Sequence, residues 1–423
     1  MSEHFDALET RDPAAREAAL MAALPRQVAA AQRTPAFGEL LAGVDAAAIT
    51  SRAALATLPV LRKHELLERQ KARRASATNW DPFGGFSAIG WRGLHAPSGA
   101  KRVFQSPGPI YEPEGTAPDY WRIARAMHAA GFRAGDLIHN SFSYHLTPAG
   151  SMMETGAHAI GCTVFAGGVG NTELQLQAMQ ELRPQGYAGT PSFLRILFEK
   201  AAEGGIALPS LTKALVSGEA FPPSLRDWLA ERGVQGYQCY ATADVGLIAY
   251  ETSARQGLVL DEGVILEIVR PGTGDPVPEG EVGEVVITVL QPDYPMVRFG
   301  TGDLSAVLAG TCPSGRTNMR IKGWLGRADQ TAKVRGMFVH PSQVAEVARR
   351  HPEVQRARLV VAGEMANDSM TFKVEVAGTP EGLAGRIADS VRDVTKLRAD
   401  IELVAPGSLP NDGKVIEDAR SYK

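Results

Sequence analysis

The sequence is short of cysteine, of dense basic runs and of long apolar stretches, and each shortage removes a class of function. Only three cysteines occur in 423 residues, Cys162, Cys239 and Cys312, far apart and without a Cys-x-x-Cys pair. They can build neither a disulfide framework nor a local zinc knuckle, and a reducing, cytoplasmic setting is the expectation that follows. No run of about 18 apolar residues is present, so no segment reads as a membrane span. The start, Met1-Ser2-Glu3-His4 with Asp6 and Glu9 close behind, lacks the basic and apolar regions of a secretion signal. Lys and Arg are scattered and the net charge is -3, which excludes the basic footprint that a nucleic-acid backbone requires. Small molecules are the expected partners, and a monomer or homodimer the expected state.

What is present is an ordinary globular balance, 44% hydrophobic and 22% charged, in a chain longer than the roughly 250–300 residues at which single cores stop growing. Two domains are therefore expected. Asp12-Pro13 ahead of an Ala-rich stretch to about residue 24 reads as a capped helix. Between about 117 and 229, apolar runs at 136–140, 161–165 and 214–217 read as buried strands, alternating with helices over 172–181 and 192–202. That is the pattern of a helix-covered α/β sheet. From Gly263 the texture turns to β, with strands over 264–269 and 283–290 about a Pro-Gly-Thr-Gly turn, read as a barrel-like segment closing the first domain. Beyond 326, a helix from about 341, strands near 356–361 and 371–376, a helix near 381–396 and a strand near 401–404 make a compact α+β unit. The boundary falls at Asp329, dividing the chain into 1–328 and 329–423.

Two stretches carry most of the chemistry. Arg298-Phe299-Gly300-Thr301-Gly302-Asp303-Leu304 is followed by Gly326-Arg327-Ala328-Asp329, and then by a glycine turn through Gly336 into Val339-His340-Pro341-Ser342-Gln343. A carboxylate at Asp303 can accept hydrogen bonds from both hydroxyls of a ribose, and the Arg327 fork suits ribose or phosphate oxygens. Asp329 stands at a domain junction, where few residues absorb the backbone change of a hinge. A surface turn with a satisfied ion pair is the plainer reading of each residue alone, and it loses to their ordered company. Near the C-terminus, Gly407-Ser408-Leu409-Pro410-Asn411-Asp412-Gly413-Lys414 forms a glycine-lysine loop.

Together these stretches resemble the motifs of the adenylate-forming (acyl-CoA synthetase and luciferase) superfamily, and the Val-His-Pro-Ser-Gln ending resembles its phenylacetate-CoA ligase branch. The resemblance implies a large N-terminal AMP-binding domain and a small mobile C-terminal domain. It also implies an ATP-dependent acid–CoA ligase, aryl or arylacetic in substrate, using ATP and Mg²⁺ with CoA as co-substrate. Lys414 is then the catalytic lysine that meets the anionic phosphorus centre, and Gly336 lines the CoA tunnel. Tyr240-Ala241-Thr242-Ala243-Asp244 takes the place of the aromatic-Gly-x-Thr/Ser-Glu motif, which implies that Tyr240 stacks on adenine, that Ala241 and Thr242 belong to the nucleotide site and that Asp244 supplies Mg²⁺ with a hard oxygen; Ala243 replaces the hydroxyl that meets the α-phosphate, and Thr242, one position early, is its candidate substitute. Gly218-Glu219-Ala220 matches the turn along the adenine edge, where glycine permits close approach.

The chain departs from the family at the phosphate loop. The matching region, residues 103–115, keeps Ser106 and Gly108 but carries Pro107, Pro109, Pro113, Glu112 and Glu114; prolines remove N–H donors and acids repel phosphate. Placing the loop on Pro97-Ser98-Gly99-Ala100-Lys101 restores a lysine at the cost of an insertion. An adenylating enzyme with another acceptor, and a nucleotide- or acyl-binding protein without turnover, stand as rival readings. For the acid, Tyr144, His145, Ala166, Gly167 and Gly168 are expected to line the pocket, core packing being the alternative for each. Some relatives hold a structural zinc; here Cys312 is the one surviving thiol, with neither Cys nor His over 252–258, and no zinc is expected.

Overall fold

The computed structural model describes residues 3–94, 99–270, 272–325, 327–328, 332–335, 337–339, 341–363, 368–378, 380–410 and 414–420. The chain forms two compact units, Met1–Gly326 and Arg327–Lys423. Among the described residues no helix is long and apolar enough to cross a membrane.

In the first unit the helix Pro13–Gln32 starts as its sequence dictates, with the Asp12 carboxylate accepting from Ala15 N at 2.9 Å and Pro13 in the first turn. It continues past the Ala-rich stretch and buries Leu20, Leu24 and Val28. A short strand β1 (Leu61–Arg62) feeds the helix Lys63–Ala75. Strands β2 (Arg102–Ser106) and β3 (Ile110–Glu114) pair as an antiparallel hairpin. Then β4 (Leu137–Asn140), β5 (Thr163–Ala166), β6 (Gly186–Gly189), β7 (Lys213–Val216) and β8 (Gln235–Thr242) alternate with the helices Ala149–Ala159, Thr172–Leu182, Pro191–Glu203 and Pro223–Ala230. Parallel pairing of these strands needs long crossovers, which the helices supply. Strands β9 (Gly246–Glu251) and β10 (Leu258–Leu260) continue the sheet antiparallel, as anticipated for neither in the sequence.

Strands β11 (Val264–Val269), β12 (Gly283–Val289) and β13 (Phe299–Ser305) follow, then β14 (Val307–Leu308) and β15 (Arg320–Ile321). The large sheet runs β14-β15-β10-β9-β8-β7-β6-β4-β5, and a second sheet runs β1-β13-β12-β11. This second sheet corrects the expectation of a barrel-like segment: β11 and β1 stand at its two ends, and among the described residues the strand order does not close on itself. Every residue of β11 and β12 is buried, which explains continuous apolar runs where a half-exposed strand would alternate. The 161–165 run, expected as a buried strand, lies at the sheet edge, and in β5 Thr163 and Ala166 are exposed because a neighbour stands on one side alone.

Arg298, one residue before β13, has φ +46° and is 1% exposed. Its guanidinium holds Glu267 of β11 at 3.0 Å and donates to the carbonyls of Ala56 and Gly274 at 2.9 and 2.7 Å and to that of Leu58. It therefore clamps the second sheet from inside. Arg298→Ala leaves a buried carboxylate unpaired and is expected to cost about 3–5 kcal/mol of stability, read as a lower urea midpoint.

The second unit begins with the hairpin β16 (Ala332–Val334) and β17 (Met337–Val339), followed by the helix Pro341–Arg349. Strands β18 (Val354–Ala362), β19 (Ser369–Val376), β20 (Asp400–Val404) and β21 (Ile416–Asp418) form a sheet in the order β20-β19-β18-β21. The helix Leu383–Thr395 turns Leu383, Ile387 and Val391, spaced by four, into the core that Phe372 and Val374 complete.

Candidate active site

The most informative group is built around Asp303. In β12 and β13, Glu284 faces Leu304 and Val286 faces Gly300, so the single residue Val285 opposes three residues, Thr301, Gly302 and Asp303. Such a bulge re-aims side chains, and Gly302 takes the φ of +73° that the kink demands. Thr301 repairs the ladder: its hydroxyl donates to Val285 O at 3.0 Å and accepts from Asp303 N at 3.1 Å. The Asp303 carboxylate, 7% exposed, accepts from the Tyr240 hydroxyl at 2.7 Å and from the Trp324 indole N–H at 3.0 Å. The two donors together fix the plane of the carboxylate. Trp324 was not read from the sequence; its adjacency to Gly326-Arg327 was the available signal.

Tyr240 lies two residues before the end of strand β8, whose hairpin with β9 pairs Thr242 with Gly246 across a three-residue loop. Gly246 supplies φ +72° at the position such loops require, and the Thr242 hydroxyl accepts from Val245 N at 3.3 Å. This loop carries Asp244, 4% exposed, whose Oδ2 accepts from Lys63 Nζ at 3.0 Å while Oδ1 has no hydrogen-bond partner among the described residues. Lys63 is brought there by β1, since Arg62 pairs with Gly300 beside the bulge and the helix Lys63–Ala75 starts at the next residue. Gly218, exposed at φ +81°, and Glu219 and Ala220, both half-buried, follow β7. The Ser192 hydroxyl donates to Glu219, and Ser217 Oγ donates to Cys239 O in the strand leading to Tyr240.

The expected phosphate loop is corrected in form. Residues 107–109 are the turn of the hairpin β2–β3, since Ser106 pairs with Ile110, and of Pro107, Gly108 and Pro109 only Gly108 has an N–H. Ser106 is 3% exposed and its hydroxyl donates to the buried Glu112 of β3, facing into the hairpin. Burial foremost, and then the charge of Asp244, push the Glu112 carboxyl up to about 8. Of the rival placement at 97–101, residues 97 and 98 lie outside the described residues.

A cavity of about 250 Å³ is lined by Arg102, Phe104, Tyr144, Ser151, Glu154 and Ala166. The Tyr144 hydroxyl accepts from Asn140 Nδ2 at 2.8 Å, and Arg102 reaches Glu114 at 2.8 Å and Ser151 at 2.9 Å. Of the residues expected in the acid pocket, Tyr144 and Ala166 line this cavity. His145 is exposed and does not. Gly167 and Gly168 sit beyond β5, where Gln175 Nε2 donates to Gly168 O at 2.9 Å. The histidine that is buried is His139, 1% exposed, against Gln175 at 2.7 Å. Cys312 contacts the hydroxyls of Thr252 and Ser314 at 3.4 and 3.1 Å. Arg327 is half-buried and Lys414 exposed within the second unit, Lys414 lying just ahead of β21. Asp329 and Gly336 lie outside the described residues.

Comparison with known proteins agrees with this geometry. The AMP-binding enzyme family matches residues 122–289 and the AMP-binding enzyme C-terminal domain matches 336–419. The phenylacetate-coenzyme A ligase of Thermus thermophilus is 32% identical over 317 residues, covering 68% of this chain and 71% of that protein. The enzyme of the same name from Escherichia coli is 28% identical, covering 70% and 72%. A solved 2-hydroxyisobutyryl-CoA ligase, holding 2-HIB-AMP and CoA, superposes with a TM-score of 0.82 at 25% identity over 100% of this chain and 93% of its own. With two family matches, a relative at 32% identity and a carboxylate presented on the bulged strand, the chain belongs to the AMP-binding, adenylate-forming enzymes, within the branch of the phenylacetate-CoA ligases, which are AMP-forming acid–thiol ligases.

Proposed function

We propose that this protein activates a carboxylic acid, aryl or arylacetic, with ATP to an acyl-adenylate and then transfers the acyl group to the thiol of CoA. The observation that carries the reading is Asp303, a buried carboxylate held in place by Tyr240 and Trp324 at 2.7 and 3.0 Å. A carboxylate offers roughly four acceptor positions, enough to take the ribose 2′- and 3′-hydroxyls together. Tyr240 thus positions the ribose anchor through its hydroxyl and leaves its ring face to adenine, beside the turn Gly218-Glu219-Ala220. Arg327 adds a fork for ribose or phosphate oxygens, Asp329 serves as hinge, and Gly336 clears the path of the pantetheine arm.

Asp244 fits a magnesium ion, because its Oδ1 is a buried hard oxygen without a partner; bound there with ATP, the ion would neutralise phosphate charge. Lys63 adds a positive charge at the same carboxylate. The acid enters the cavity behind Tyr144 and Ala166, and its volume of about 250 Å³ is smaller than the roughly 300–1,000 Å³ of sites for drug-sized ligands, which favours a single-ring acid.

Binding without turnover is the second reading, and it draws on the hairpin turn 107–109 with its single N–H. ATP–pyrophosphate exchange with a panel of benzoic, phenylacetic and hydroxylated acids, with and without CoA, separates the two. Acid-dependent exchange followed by CoA thioester formation is expected. Calorimetric ATP binding with no exchange for any acid would establish the second reading instead.

A further inference from the structure

The cavity of about 250 Å³ has an apolar wall, Phe104 and Ala166, and a polar one, Arg102, Tyr144, Ser151 and Glu154. Much of the polar wall is already satisfied. Arg102 Nη1 donates to Glu114 Oε1 at 2.8 Å and to Ser151 Oγ at 2.9 Å, and Ser151 Oγ donates to Glu114 Oε2 at 2.6 Å. This closed circuit sets Arg102 against a carboxylate that is 0% exposed, with Lys101 as a further cation 3.6 Å from it. Glu154 follows Ser151 by three residues on the same helix face and stands outside the circuit. Its side chain is 22% exposed, and its ion-pair contact with Arg102 is 3.9 Å, beyond hydrogen-bond distance.

Tyr144 lines the same space. Its oxygen accepts from Asn140 Nδ2 at 2.8 Å, and its ring packs on Gly150, where a Cβ would stand 2.9 Å from it. Burial, and after it the charge of Glu154, push the Tyr144 hydroxyl pKa up. Even with Tyr144 beside it, a carboxylate of roughly four acceptor positions has acceptors to spare. Stripped of water by an unsubstituted ring, it would go without donors, at a cost; a ring that brings a donor removes that cost. The carboxylate of the acid must point away from Glu154, because like charges repel, which sets the far end of the ring against it. A second carboxylate is disfavoured on the same ground, since Arg102 is engaged with Glu114.

We propose that Glu154 is a specificity residue, and that the acid activated here carries a ring hydroxyl that donates to Glu154 and accepts from Tyr144. The inference rests on the reading of this cavity as the acid site and narrows the substrate within it. A water held by Glu154 in place of the hydroxyl would give no such preference.

Calorimetry on the full chain, with AMP present, compares phenylacetate with its 3- and 4-hydroxy derivatives and with an acid bearing a second carboxylate. One hydroxylated acid is expected to bind at least about tenfold tighter than phenylacetate, as befits a hydrogen bond to a charged group. Glu154→Leu is expected to abolish or invert that ratio by weakening the hydroxylated acid, Glu154→Gln, which still accepts, to keep part of it, and Tyr144→Phe to lower it less. Circular dichroism checks folding, and Glu154→Gln carries the comparison if Glu154→Leu does not fold. The proposal is overturned if phenylacetate binds as tightly as both hydroxylated acids, if a folded Glu154 variant keeps the full ratio, if the dicarboxylate binds tightest, or if none binds. Equal binding with pyrophosphate exchange leaves the adenylation reading standing, whereas selective binding without exchange removes turnover and leaves the hydroxyl preference.

Discussion

Lys414→Ala is expected to slow acyl-adenylate formation by at least about a hundredfold, the scale on which a single electrostatic stabiliser of a transition state acts, while thioester formation from preformed adenylate stays within about twofold. Attack of a carboxylate on the α-phosphate builds negative charge at phosphorus that neither substrate carries in the ground state. An ammonium that meets that charge lowers the barrier without tightening substrate binding. Thioester formation attacks a carbonyl carbon and expels AMP, and that step has no comparable demand for the lysine. Lys414 is exposed and lies two residues ahead of Ile416, the first residue of β21, which is held against β18 through the pairing of Ile416 with Leu359. Its truncation therefore removes charge and little packing. Single-turnover pyrophosphate release reads the first half-reaction, and CoA thioester formed from synthetic adenylate reads the second; equal loss in both would remove Lys414 from this role.

Asp303→Ala is expected to weaken ATP binding at least about a hundredfold. Each hydrogen bond to an ionised group contributes about 1.5–3 kcal/mol, two ribose hydroxyls are at stake, and a factor of ten corresponds to about 1.4 kcal/mol. The fold should tolerate the change, because Thr301 rather than Asp303 carries the side-chain bond to the Val285 carbonyl at the bulge, and the Tyr240 hydroxyl keeps a second contact with Thr301 at 3.1 Å. Calorimetry with ATP reads the loss, and an unchanged melting temperature separates it from unfolding. Near-normal ATP affinity in the folded variant would place the ribose elsewhere.

The two largest expected effects fall on residues legible in the sequence, which reflects the kind of signal a motif carries. Thr-Gly-Asp and Gly-Lys are short because bulge and loop are local devices: Gly302 must reach φ +73°, and the polar side chains stand beside the glycine. The groups that complete the site carry no such pattern. Lys63 reaches Asp244 from 181 positions away and Tyr240 reaches Asp303 from 63, so nothing near either residue announces the contact. Trp324 falls in no motif singled out in the sequence, and Glu112 reads there as an acid that repels phosphate. His145, prominent among small residues in the sequence, is exposed, while His139, hidden in a strand-like run, is buried.

By itself the sequence determined the alternation of strands and crossover helices, the compact α+β unit at the end and the residues of the family motifs, since periodicity, caps and glycine turns are written within a few neighbouring positions. Only the tertiary structure decided that the β segment is an open sheet, that residues 107–109 are a tight turn and that β5 is an edge. It also decided that Asp303 meets Tyr240 of β8 and that Asp244 meets Lys63 at the start of a helix, both far away along the chain. Strand pairing and the burial of charge depend on which segments become neighbours, and that choice belongs to the packing of the whole unit rather than to any local stretch of chain.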